Sequence, residues 1–300
     1  MTAFPDGLIT RGATRDEAPL VTDLWRAAEA VDAGESEVTL EDVLSDWERP
    51  GFDPATDTIL VIDADHPVAA AEVWGTRADA AVLPDARGRG IGASLLSWIE
   101  ERAREAAAPR IGQTIPDTNE RAAGLFARQS YTPRHTSLTL ELPQDVRIEH
   151  PPLPSGMEIR PFDPGHEEYE VYRLLEDAFR EWPGRVPGTL EFWHTQTAAR
   201  KDFDPSLLFV AVDAGMIVGA ASCIPYLEVG WVQQLAVRRS HRGRGLGKAL
   251  LRTAFEEFRR RGQTSVGLST DSRTGALDLY LHVGMEVRRT YTHYAKDLLP

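Results

Sequence analysis

The chain has 300 residues, of which 42 % are hydrophobic and 26 % charged, globular values that leave room for two domains with a core each. A net charge of −13, no run of eighteen apolar residues and no secretory pattern at the N-terminus argue against a nucleic-acid or membrane partner and lead to an expected cytoplasmic location. Cys223 is the lone cysteine, so neither an intrachain disulfide nor a cysteine metal cluster can form, and no His/Asp/Glu set has metal-ligand spacing.

Residues 8–11 read as a short strand, and Thr14 with Glu17 as a capping box opening a helix through Leu20, Val21, Leu24, Trp25 and Ala28. Residues 40–47 form a second helical patch. Residues 58–62 and 67–74 read as a hairpin turning at 63–66. The strand 80–83 leads into a glycine-rich turn, then a helix ending near Pro109. A strand over 110–115, a helix over 119–129 and a closing strand over 137–142 follow.

Prolines at 143, 151, 152 and 154 then mark an expected linker over 143–156, dividing a domain at 1–142 from one at 157–300. The second domain repeats the order: strand 157–162, helices 166–182 and 190–200, hairpin 207–212 and 216–225, strand 231–237, helix 247–261, strand 265–269, helix 274–283 and strand 286–296. The acidic excess lies wholly in the first half. Residues 1–150 hold 14 Arg, no Lys and 27 Asp and Glu, whereas residues 151–300 hold 19 of each sign.

The turn after strand 231–237 is Arg242-Gly243-Arg244-Gly245-Leu246-Gly247-Lys248. Strand, glycine-rich turn and helix bring several backbone N–H groups and the positive end of a helix dipole to one point, which suits a phosphate. Arg238, Arg239, Arg242, Arg244 and Lys248 add positive charge there. The Walker A pattern fails at Arg242 and Ala249, and the dinucleotide pattern fails at Lys248. Arg-x-x-Gly-x-Gly fits, and it occurs twice: Arg87-Gly88-Arg89-Gly90-Ile91-Gly92 lies 155 positions earlier. A repeat of that length is a repeated domain.

On this doubled motif and the repeated element order, the chain resembles the GCN5-related N-acetyltransferase (GNAT) superfamily, and its tandem two-domain members in particular. The resemblance implies an α+β (α/β) fold of two tandem domains, each a mixed, mostly antiparallel sheet flanked by helices. It implies that acetyl-CoA is the co-substrate, held by the two loops: Arg242, Gly243, Arg244, Gly245, Leu246, Gly247 and Lys248, and Arg87, Gly88, Arg89, Gly90 and Gly92. Backbone donors in Leu235, Ala236 and Val237 would line the pantetheine and polarise the thioester. Ala276-Leu277-Asp278-Leu279-Tyr280 matches the family pattern that carries the general acid, so Tyr280 is the expected proton donor. Phe126 stands at that position in the first half, which is therefore expected to be non-catalytic. Glu228 and Asp271 are the candidate bases, and residues 182–188, Phe203, Tyr226 and Glu228 the expected acceptor lining. His241 is expected to face solvent.

The function expected is an acetyl-CoA-dependent N-acetyltransferase of a small-molecule primary amine, a monomer or homodimer, active in the second domain. A non-catalytic acyl-CoA sensor is the alternative. A nucleic-acid module using the arginines of 238–261 fits poorly with the zero net charge of that half.

Overall fold

A computed structural model describes residues 3–36, 38–149, 152–181, 187–225 and 229–298. They form two units, one running to Thr136 and resuming at Thr290, the other Ser137–Arg289.

In the first unit, β1 (Leu8–Arg11), β2 (Thr58–Asp63), β3 (His66–Trp74) and β4 (Arg77–Val82) pair antiparallel in chain order. Between β1 and β2 come α1 (Ala18–Asp32), α2 (Leu40–Trp47) and the single turn α3 (Pro54–Asp57). α4 (Ile91–Glu105) leads to β5 (Arg110–Pro116), parallel to β4, and then to α5 (Glu120–Arg128) and β6 (Thr132–Leu142). The second half repeats the series. β7 (Met157–Pro161), α6 (Glu168–Phe179), α7 (Leu190–Gln196), β8 (Leu208–Asp213), β9 (Met216–Pro225) and β10 (Val229–Val237) are followed by α8 (Leu246–Arg260) and β11 (Ser265–Asp271), parallel to β10. α9 (Leu277–His282) and β12 (Glu286–Asp297) end it.

The helices form where apolar periodicity demands. Leu246, Leu250, Leu251, Ala254, Phe255 and Phe258 make one face of α8, all buried against a cluster that includes Phe209, Val218 and Val232. Each such aromatic is worth roughly 1.5–3 kcal/mol of burial. α4 does the same in the first unit with Ile91, Leu95, Leu96, Ile99 and Ala103. The opposite sheet faces are covered by α1 and α2 in one unit and by α6 and α7 in the other. The β2–β3 and β8–β9 hairpins turn on two residues each, Ala64-Asp65 and Ala214-Gly215, all with positive φ, the mirror-image turn that matches strand twist.

The sheet class is the expected one, but the expected domain boundaries are corrected. β5 is flanked by Tyr291–Asp297 of β12, and β11 by residues 137–142 of β6. The outer strand beside each β5-type strand thus comes from the other half of the chain. Period-2 alternation determines which face of a strand is buried but not which sheet edge it joins. The expected linker also proves to be packed. Val146, Ile148 and Leu153 pack on the core of the second unit, and Arg259 donates to the carbonyls of Val146 (2.7 Å) and Pro143 (3.1 Å). Its prolines are interleaved with apolar side chains that the sheet face takes up.

Candidate active site

The two glycine loops share a skeleton. Gly88 and Gly90 have φ of +82° and +89°, and Gly243 and Gly245 +75° and +84°, a backbone that L side chains adopt only with strain. Gly90 and Gly245 are the N-caps of α4 and α8, and neither helix has a side-chain cap, so the first-turn N–H groups point outward unclaimed by a side chain. A Cβ built on Gly243 or Gly245 would meet nothing within 4 Å, so the approach to those amides is open, as a diphosphate requires.

The motif arginines act as braces. Arg242 Nε donates to the Val237 carbonyl (2.9 Å), and its two terminal nitrogens bond the Glu181 carboxylate at 2.7 and 3.1 Å. Arg87 Nε donates to Val82 (2.9 Å), and its terminal nitrogens bond Asp32 at 2.7 and 3.0 Å. Each guanidinium thus ties the end of the strand to the end of the preceding helical layer. The Arg242 guanidinium holds the Glu181 carboxyl below the usual carboxylate range. Asp177 and Glu181 face Arg238, Arg239 and Arg242 across a cleft of about 520 Å³. Arg89 is bonded to Asp63 at 2.6 Å, while Arg244 and Lys248 make no hydrogen bond or ion pair with the described residues. His241 does not simply face solvent. Its Nε2 lies 3.2 Å from Asp213 and its Nδ1 2.8 Å from Ser240.

Ahead of each loop the sheet opens. β10 pairs with β11 only over Val229–Val232, so Leu235, Ala236 and Val237 are matched to β9 alone, and alternate N–H groups face an unpaired gap. β4 meets β5 at the single pair Arg77↔Gly112. The second unit adds an irregularity: the β9–β10 register shifts between Val232 and Gln234, leaving Gln233 as a bulge at the mouth of the gap. The β3–β4 ladder has no such shift.

Tyr280 is 8 % exposed, and burial pushes its phenol up, opposed by a hydrogen bond with Thr270. Thr270 lies on β11 beyond the last residue paired with β10. A phenol so placed keeps its proton at neutral pH, as a proton donor must. Phe126 is 3 % exposed and stacks with Tyr131 and Tyr294 at 5.2 Å, an ordinary core residue. Asp271 is engaged by Arg273 through its backbone N–H (2.8 Å), Nε (2.9 Å) and terminal nitrogen (2.5 Å). Glu228, Tyr226 and residues 182–186 lie outside the described residues. Phe203 packs edge-on against Phe162 in the core, and Gly188 is held by Glu176 and Tyr172.

Reading the sequence missed two features. The first is the bulge, whose signal is the adjacent polar pair Gln233-Gln234 in an otherwise apolar strand. The second is a buried carboxyl group in the first unit. Glu72, on β3, accepts from Trp47 Nε1 at 3.1 Å, and its carboxyl is pushed up to about 8 by burial and by Asp79 and Asp46. Asp46, paired with Arg49, is itself raised to about 6, chiefly by burial. No helix of the described residues is long and apolar enough to cross a membrane, and they hold no group of His, Cys, Asp and Glu that could bind a metal ion.

Residues 21–131 and 169–285 each match the model of the acetyltransferase (GNAT) family, one match per glycine loop. The mycothiol acetyltransferase of Thermomonospora curvata is 32 % identical over 231 residues, 75 % of this chain and 73 % of that one. The mycothiol acetyltransferase of Nocardia farcinica is 27 % identical over 94 % of this chain and 95 % of its own. A crystal structure of a GCN5-related N-acetyltransferase from Sphaerobacter thermophilus is 33 % identical and superimposes with a TM-score of 0.81 over 99 % of this chain and 98 % of that one. A tandem GNAT protein from the clavulanic acid biosynthesis pathway, 16 % identical, shares the fold with a TM-score of 0.76 over 98 % of this chain and 99 % of its own.

Proposed function

The chain belongs to the acetyltransferase (GNAT) family and is an N-acetyltransferase, and from this premise we propose that its second unit moves an acetyl group from acetyl-CoA directly to the primary amine of a small molecule. One observation carries the choice of unit: an uncapped glycine loop whose cations Arg244 and Lys248 have no partner among the described residues directly follows a strand that is both bulged and splayed. The first unit has the loop without the bulge and has no free phenol at the acid position.

Acetyl-CoA brings an activated acyl group; the chain's own residues supply the rest. Backbone N–H groups of residues 243–248 take the diphosphate, with Arg244 and Lys248 adding charge, and N–H groups within 235–237 lie along the gap to bond the pantetheine and the carbonyl oxygen. The bulge at Gln233 turns the strand at the point where the acyl carbon and the amine must meet. Tyr280 gives its proton to the departing thiolate. An amine attacks only after losing its own proton. Glu228, just before β10, is the assigned acceptor of that proton, since Asp271 already bonds Arg273. The first unit serves as a structural partner.

Calorimetric titration of acetyl-CoA into the full chain, with coenzyme A release measured over a panel of primary amines, tests this. One arm of the panel is the acceptor used by mycothiol acetyltransferases. Saturable binding with amine-dependent release is expected. Binding without release from any amine would favour the acyl-CoA sensor, and absence of binding would overturn the assignment of the loop.

A further inference from the structure

The same carboxylate is used differently in the two units. Asp63 and Asp213 are the last residues of β2 and β8, each immediately before the two-residue hairpin turn. Arg89 and Arg244 stand at the same step of the two loops, each between left-handed glycines of nearly equal φ. In the first unit Asp63 takes Arg89, at 2.6 Å. In the second, Asp213 lies 3.2 Å from His241 Nε2, and Arg244 is left without a partner among the described residues. His241 ends the short turn Arg239–His241; the matching turn Pro84–Ala86 ends in buried Ala86, whose methyl cannot reach a carboxylate.

We infer that His241 is a positioning residue that occupies Asp213 and so releases Arg244 to bind a phosphate of acetyl-CoA. Equal loop geometry puts Arg244 within reach of Asp213 just as Arg89 reaches Asp63. A guanidinium committed to a carboxylate, as Arg89 is to Asp63, has fewer N–H groups left for a phosphate and presents a neutral pair to it. Ser240, on His241 Nδ1, holds the ring toward Asp213. The inference rests on the proposed diphosphate loop and adds to it the reason why Arg244 has no partner among the described residues whereas Arg89 has one.

The crystal structure of the full chain carrying His241→Ala reads the exchange without any ligand. Arg244 bonded to Asp213 is expected; Arg244 still directed away from Asp213 overturns the inference. Acetyl-CoA titration of His241→Ala should show binding weakened about tenfold, the scale of one charge-assisted contact. The double variant His241→Ala/Asp213→Asn, in which no carboxylate remains to capture Arg244, should return to the affinity of the unaltered chain. A double variant as weak as His241→Ala would mean that His241 acts some other way and would sink the idea. If the unaltered chain binds no acetyl-CoA, the function proposed above fails, and the crystal structure alone decides the exchange.

Discussion

The loops at Arg87 and Arg242 keep the same braces and differ in what surrounds them. In both, an arginine Nε bonds the strand-end carbonyl, the guanidinium grips a carboxylate from the helical layer, and two glycines turn through positive φ. Around the first loop, Arg89 is consumed by Asp63, the strand is regular, Phe126 stands where the second unit has the proposed acid, and the interior carries a carboxyl cluster. Around the second, Arg244 is unpaired among the described residues, the strand is bulged, and the proposed acid position holds Tyr280. The ladders make the interior contrast direct: Glu72 pairs with Asp79 in one unit, and Ser222 with Gln234 at the matching step of the other. Architecture persists where it holds backbone to backbone. It diverges where charge or a proton is at stake.

The sharpest way to break this comparison is at the acid position. Tyr280→Phe copies Phe126 into the second unit and removes only a hydroxyl. Turnover should fall by roughly 10²–10⁴, the usual contribution of a positioned proton donor, with acetyl-CoA affinity unchanged. Steady-state kinetics beside calorimetry would separate the two. Turnover equal to that of the unaltered chain would remove Tyr280 from the reaction. The reciprocal Phe126→Tyr should create no activity, because the first strand lacks the bulge.

Next in size is the interior of the first unit. Glu72 is buried, with its carboxyl pushed up to about 8, so the folded chain holds a proton that the unfolded chain releases near 4.5. The sign follows. The folded state binds more protons over that interval, so this contribution to stability is fully present below about pH 4.5 and is lost as pH rises toward 8. Asp46 acts in the same direction up to about pH 6. Glu72→Gln keeps the acceptor for Trp47 and cannot ionise. Its thermal midpoint should match that of the unaltered chain at pH 4.5 and exceed it at pH 8.5 by an amount reflecting a few kcal/mol. Equal midpoints at pH 8.5 would show that Glu72 is solvated or otherwise compensated. Ser222→Ala, at the matching step of the second unit, should leave the pH profile of stability as it is.

What was legible in the sequence follows a physical line. The paired loops, the helices after them and the hairpins were legible because glycine spacing and apolar periodicity act over a few residues. Tyr280, the proposed acid, was singled out by a local pattern, and its burial is what the structure adds. The exchange of β6 and β12 was not, since alternation carries no information about which edge a strand joins. Nor were the partners of the motif arginines: Glu181 lies 61 residues from Arg242, and Asp32 lies 55 from Arg87. The burial of Glu72 left one trace, a lone carboxylate in the alanine-rich run 69–73.

The smallest expected effect tests the braces, and it differs between the units for a reason of exposure. The side chains of Arg87 and Asp32 are 17 % and 20 % exposed, whereas those of Arg242 and Glu181 are 42 % and 43 % exposed. A solvated pair is worth about 0–1 kcal/mol. A more buried bidentate pair leaves a poorly solvated carboxylate behind when broken, a loss of roughly 2 kcal/mol. Each substitution by alanine also removes one hydrogen bond to a strand-end carbonyl, about 1 kcal/mol. Arg87→Ala should therefore lower the thermal midpoint more than Arg242→Ala, by several degrees at roughly 2–4 °C per kcal/mol. Asp32→Asn should reproduce part of the larger drop, because it keeps hydrogen bonding but discards the charge. Equal midpoints for the two arginine variants would mean that solvent screening does not separate the braces. The brace of the first unit would then contribute no more to stability than the brace of the second.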